Sequence, residues 1–281
     1  MIKTLPDNEL KALIILAGDE EDSNSALLRG KLAQIAGREP ERLEAIAEAE
    51  FSGGLPPAVA SLLEEARWAL LENLFSKIAA SPSPDLEEGL FLISKFAYPR
   101  LSLADISAPA DALAADIKKT ASSAGSLEEY IAAFNETVFR NRSFSCCDGA
   151  GAGPESAYLY TLLKTRRAAA PALGALYIIV GKRLEVPVCA SAMPGHFIAQ
   201  FRAWDAEVFV DLCREGKIVS RRECQMMTLS RGLRWDGDYL KPVDSRALLC
   251  HTLSSLIYNY NRAKDARRAT QLTRYLQILQ G

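Results

Sequence analysis

The sequence predicts a mostly helical α+β protein, and three observations predict it. Both ends of the chain carry apolar residues at helical spacing. The block 186–212 instead alternates side chains as strands do. Prolines and helix-capping residues cut the remainder into short segments.

In chain order, Leu10, Leu13, Ile14 and Ala17 define a first helical face. Ser23, Asn24 and Ser25 cap a second helix with Leu27, Leu28, Leu32 and Ile35 inward, and Gly37 ends it. A third runs from Pro40 with Leu43, Ile46 and Ala47. Pro56 and Pro57 open a longer one, with Val59, Leu63, Ala66, Leu70 and Leu74 at helical spacing. Ser81-Pro82-Ser83-Pro84 is a linker, because proline denies helix continuation. Asp85 with Glu88 then starts a helix burying Leu86, Leu90, Ile93 and Ala97; Ser126 with Glu129 starts one burying Ile131, Phe134 and Val138. Between them, residues 109–122 are alanine-rich and helical. Phe144 to Gly153 is a glycine-rich loop without the GK[ST] ending of a phosphate-binding loop.

Pro154 opens a central helix with Tyr158, Leu159, Leu162 and Leu163 inward. The next helix places Leu173, Leu176, Tyr177, Val180 and Leu184 on one face. Strands follow at 186–193, 196–202 and 207–212, turned at Pro194-Gly195 and around Trp204 to Ala206. After Pro242, Leu249, Leu253, Leu256, Ile257 and Tyr260 line one helix of a hairpin. Ala269, Leu272, Leu276 and Leu279 line the other.

Composition excludes several functions. With 33 basic against 35 acidic residues, bulk charge argues against nucleic acid or a membrane surface as partner. No apolar run approaches the roughly 20 residues that cross a bilayer. The short run Ala12 to Ala17, followed by Asp19, Glu20, Glu21 and Asp22, is no secretory signal. The six cysteines, at 146, 147, 189, 213, 224 and 250, contain no CxxC pair, which predicts reduced thiols in a cytoplasmic protein.

The chemistry concentrates at His196 and Asp211. A hairpin near 204–206 makes their strands antiparallel neighbours, with the two residues within a residue or two of register. Whether they share a face depends on the turn length, since one residue of slip reverses every side chain. Sharing a face, Asp211 holds one imidazole nitrogen and leaves the other as a base. The competing reading is a structural histidine bonded to a carboxylate.

These residues carry a resemblance. The helix ending at Arg166-Arg167, Leu173 to Tyr177, Leu184-Glu185-Val186-Pro187-Val188, Pro194-Gly195-His196-Phe197, and Phe209-Val210-Asp211 with Gly216 resemble the SirB-type branch of the transglutaminase-like superfamily. Residues 85–103 and 139–144 are similar to it too, and 241–260 resembles its tetratricopeptide-like tail. The resemblance implies a papain-like core, a nucleophile-bearing helix on a small antiparallel sheet, flanked by helical segments. The implied domains are a helical region at 1–80, the core at 85–240 and a tetratricopeptide-like hairpin at 241–281. Active members of the superfamily use Cys–His–Asp for acyl transfer or amide hydrolysis. His196 and Asp211 match the histidine and the acid as catalytic residues.

The nucleophile position falls on Ala172. The branch usually has a G-I-P-I-[ST]-L-like run there, itself without cysteine, and this chain departs further. Ser156-Ala157 replaces the branch's Asn-Ser, and Leu212-Cys213 replaces its Pro-Phe. A methyl group cannot attack a carbonyl, so the covalent route lacks its first step. The expectation is a catalytically silent, cytoplasmic protein-binding or regulatory module with a protein partner. The alternative is a thiol- or water-dependent amide or acyl hydrolase or transferase using His196 and Asp211. Water activation alone supplies about 10²–10⁴-fold. Cys189 and Cys213 read as small core residues, while Cys146 and Cys147 lie in a loop that could fold over the site. Cys250 and His251 leave different sides of a helix and match no zinc spacing, so neither metal nor cofactor is expected. Arg166-Arg167 is either an anion site or a helix C-terminus complementing its dipole.

Overall fold

Most of these helices form, and their faces follow the burial of side chains more closely than their spacing. The computed structural model describes residues 5–18, 25–51, 54–147, 153–194, 196–203 and 205–281. Ser23 and Asn24 of the expected cap, Gly149 and Gly151 of the glycine-rich loop, Gly195 and Trp204 lie outside the described residues. Packing divides the chain into two compact units, Met1–Leu74 and Phe75–Gly281.

In the first unit, α1 (Asp7–Gly18), α2 (Ser25–Ala36), α3 (Pro40–Glu50) and the start of α4 (Pro57–Ala79) enclose Leu10, Ile14, Leu32, Leu43, Ala47 and Leu63. Two expectations of facing are corrected. Leu27 is 65% exposed, and Ala36 takes its place in the core. In α4, Leu70 and Leu74 turn outward while Trp68, Leu71, Phe75 and Ile78 are buried. At 3.6 residues per turn, each four-residue step advances the face by about 40°, so a chain of such steps walks out of the core.

In the second unit, α5 (Leu86–Ala97) starts where Asp85 accepts the N–H of Glu88. Helix α6 (Ala104–Thr120) begins five residues before the expected start and keeps Pro109 inside it. The side chain of Asp105, accepting from the N–H and hydroxyl of Ser102, organises that earlier start. Ser126 caps α7 (Leu127–Asn135), while Glu129 accepts from Gly125 instead of returning to Ser126. A π-helical turn, Glu136–Asn141, extends α7. The expected loop after Phe144 begins with β1 (Ser145–Cys146), paired in parallel with β2 (Arg167–Ala168). The helix expected from Pro154 is broken into a 3₁₀ turn, Pro154–Ala157, and α8 (Leu159–Thr165), with Tyr158 extended between them.

Helix α9 (Ala170–Arg183) is the buried centre, with Leu173, Ala175, Leu176, Tyr177 and Val180 inaccessible or nearly so. It packs on a four-stranded antiparallel sheet ordered β3 (Val188–Met193), β4 (His196–Ala203), β5 (Ala206–Asp211), β6 (Lys217–Val219). Phe134, Tyr177 and Phe201 meet at ring-centroid distances of 4.7–6.2 Å between the helices and the sheet. Strand β6 and α10 (Arg221–Leu229), which Ser220 and Glu223 start with a reciprocal capping box, extend the architecture beyond what periodicity predicts.

The C-terminal hairpin, α11 (Ser245–Arg262) and α12 (Ala266–Gln280), is fastened to the same unit. The hydroxyls of Tyr158 and Tyr260 are 3.1 Å apart, and Phe75 stacks on Tyr275. Arg246 donates to the carbonyls of Leu279 near the end of α12, Ala79 at the end of α4 and Ser81 in the bend after it, three acceptors gathered by one guanidinium. Among the described residues no helix is long and apolar enough to cross a membrane.

Candidate functional site

The pairing of β4 with β5 settles the facing of the two candidate residues. Ile198 stands opposite Asp211, so His196, two residues earlier, shares its side of the sheet on the diagonal. His196 Nε2 lies 3.0 Å from Asp211 Oδ1, with the imidazole 9% exposed and the carboxylate 0%. The contact is within bonding distance but off hydrogen-bond alignment, since Nε2 and Oδ2 have no aligned partner. Oδ1 accepts the backbone N–H of Cys213 at 3.0 Å, and Arg214 Nε is 3.6 Å from Oδ2. Burial pushes the Asp211 pKa up. His196, the Cys213 N–H and Arg214 outweigh it and hold the carboxyl below its ordinary value.

The other imidazole nitrogen is also engaged. Nδ1 lies 3.4 Å from Arg231 Nη2. A guanidinium only donates, so this contact assigns Nδ1 as acceptor and puts the ring proton on Nε2, facing Asp211. Among the described residues, the ring's polar neighbours at bonding distance are therefore a carboxylate and a cation, not a thiol or a hydroxyl.

A cavity of about 840 Å³ opens beside the ring. Ala169, Ala170 and Pro171 at the start of α9 form one wall; Ser254, Ser255, Tyr258, Asn259 and Arg262 of α11 form another. Met193, His196, Phe197, Tyr239 and His251 complete much of the rest, with Cys147 and Cys213. Ala172 is 2% exposed and is not part of the wall. The N-terminus of the central helix thus presents methyls and a proline ring where attack on a carbonyl would need a nucleophile.

Apart from Cys147 on the cavity wall, the cysteines divide into two groups. Cys146 and Cys213 form a disulfide across a sequence separation of 67, which corrects the expectation of six reduced thiols. The parallel β1–β2 pairing carries Cys146 to the turn after Asp211, a meeting that local spacing does not reveal. Cys189, Cys224 and Cys250 lie elsewhere, and burial raises all three thiol pKa values, that of Cys224 to about 11. Cys189 sits over the Gln200 carbonyl at 3.8 Å.

His251 lines the cavity edge-on to Phe197, but Cys250 does not join it. Among the described residues no three His, Cys, Asp or Glu side chains gather as a metal site. Arg166 ends α8 in the left-handed conformation (φ 63°) and stacks over Phe144 at 4.6 Å. Burial and the nearby Arg142 lower its pKa. Arg231, Tyr258 and Arg262 were invisible in the sequence as site residues, because only tertiary packing brings them to the cavity or to His196.

A family model described as the transglutaminase-like superfamily matches residues 104–254. No curated protein and no solved structure matches the chain.

Proposed function

This chain belongs to the transglutaminase-like superfamily, and we propose that it is a member silent toward acyl transfer, a cytoplasmic module whose cleft binds a protein segment. The reading extends to the SirB-type branch, with α11 and α12 as its tetratricopeptide-like tail. One observation carries it: the start of α9 meets the cavity with Ala169, Ala170 and Pro171, and Ala172 is buried behind them. Arg231 at Nδ1 supports it further, because the nitrogen that would act as base already accepts a hydrogen bond. The cavity's size falls in the range of sites that enclose a few side chains, and Tyr239 and Tyr258 offer it aromatic surface.

The test is a mixture of unstructured peptides, glutamine-containing ones included, incubated with the protein and a primary amine. Mass spectrometry is expected to recover every peptide unmodified, while a subset binds and loses binding with Tyr258→Ala. A cleaved, deamidated or amine-linked product that vanishes with His196→Ala would establish instead a hydrolase or transferase built on His196 and Asp211.

A further inference from the structure

The cavity contains sulfur chemistry that acyl transfer does not use. Cys213 belongs to the disulfide with Cys146 and lines the cavity, whereas Cys146 does not. Of the two linked residues, Cys213 is the one on the cavity wall, so it is the member of the disulfide that a nucleophile in the cavity would reach, with Cys146 as the leaving group. Cys147, outside that disulfide, lines the same wall. The charge of the lining is one-sided: it includes Arg262 and no Asp or Glu among the described residues. The start of the 14-residue helix α9 adds the positive end of its dipole.

We propose that the Cys146–Cys213 disulfide is a thiol–disulfide exchange site whose co-substrate is a small thiol bearing carboxylates. The thiolate of the co-substrate attacks Cys213 Sγ. A new S–S bond forms to Cys213, the Cys146–Cys213 bond breaks, and Cys146 leaves as a thiolate that takes a proton from water. A second co-substrate thiolate attacks the co-substrate sulfur of the mixed disulfide. It releases the oxidised co-substrate dimer and the Cys213 thiolate, so the protein gains the two electrons that two thiols lose. Arg262 recognises the carboxylates, and the positive lining favours the thiolate form of the incoming sulfur. This activity goes beyond the peptide-binding reading and does not depend on it, since its readout is the state of the sulfurs.

The experiment uses the full chain, air-oxidised, treated with glutathione or with cysteamine at equal thiolate concentration, then acid-quenched, alkylated and mapped by mass spectrometry. Glutathione, which carries carboxylates, is expected to open Cys146–Cys213 about tenfold faster than cysteamine, which carries a positive charge. The mixed disulfide is expected on Cys213. The preference should collapse in Arg262→Ala, whose exposed site leaves the fold intact. As a second measurement, Cys146→Ser leaves Cys213 without its partner, and oxidised glutathione should then modify Cys213 ahead of Cys189, Cys224 and Cys250. Equal rates for the two thiols, an adduct on Cys146, or a bond that never closes in the oxidised protein would each overturn the proposal. Failure of the peptide-binding test would leave these outcomes unchanged.

Discussion

At Asp211, a fully buried carboxylate keeps its charge because three neighbours favour it: the His196 ring, the Cys213 N–H and Arg214. A carboxyl whose pKa is lower folded than unfolded binds its proton more readily in the unfolded chain. It therefore contributes stability above the unfolded pKa, and the contribution is lost as pH falls through the folded value. Asp211→Asn keeps the shape and an acceptor for Cys213 but removes the charge. It is expected to cost about 1–3 kcal/mol near neutral pH. Urea denaturation should show the gap from the wild-type protein closing in acid, below the usual carboxylate range. A gap that ignores pH would mean that the charge contributes nothing. His196 and Asp211 were legible in the sequence because strand alternation restricts pairing to a few registers. Arg231 and the partnership of Cys146 with Cys213 were not, because each depends on segments joined only by tertiary packing.

Among the elements, α9 shows how close packing positions the site. A Cβ placed on Gly174 would lie 2.7 and 2.8 Å from ring carbons of Phe197, the residue next to His196 on β4. Glycine here lets helix and strand approach, so Gly174→Ala should cost about 1–3 kcal/mol by overpacking, despite alanine's better helix propensity. Gly30, in α2, has nothing within 4 Å of its Cβ position. Gly30→Ala should stabilise by up to about 1 kcal/mol. Thermal unfolding of both variants checks the pair, and the same sign for both would contradict the packing account. The strands around His196 could be read from their alternation, and α5 and α7 from their caps. Helix α4 drifted off its spacing-derived face because burial over 23 residues draws on more than one side of the cylinder. Strand β6 is three residues long and pairs only through β5, too short for any periodicity to announce it.

For the whole molecule, all six cysteines lie beyond residue 75, and the disulfide acts wholly within the unit Phe75–Gly281. It closes a long loop, from β1 to the turn that follows Asp211, so it removes unfolded-state freedom and also fixes what stands beside the His196–Asp211 pair. By loop-closure reasoning, reduction should destabilise this unit by about 2–4 kcal/mol. Hydrogen exchange localises the consequence. With a reductant, amides of β1, β2, β5 and β6 should lose protection first, because β1 holds Cys146, β2 pairs with β1, and β5 and β6 flank the turn that holds Cys213. Amides of α1 to α3, enclosed in the first unit's own core, should exchange unchanged. Protection lost evenly along the chain would mean that the disulfide stabilises a single cooperative structure. No loss at all would mean that the β1–β2 pairing and the buried Asp211 contacts hold the segment without it. In the expected outcome, redox state adjusts the wall of the cavity while the helical region at the start of the chain keeps its fold.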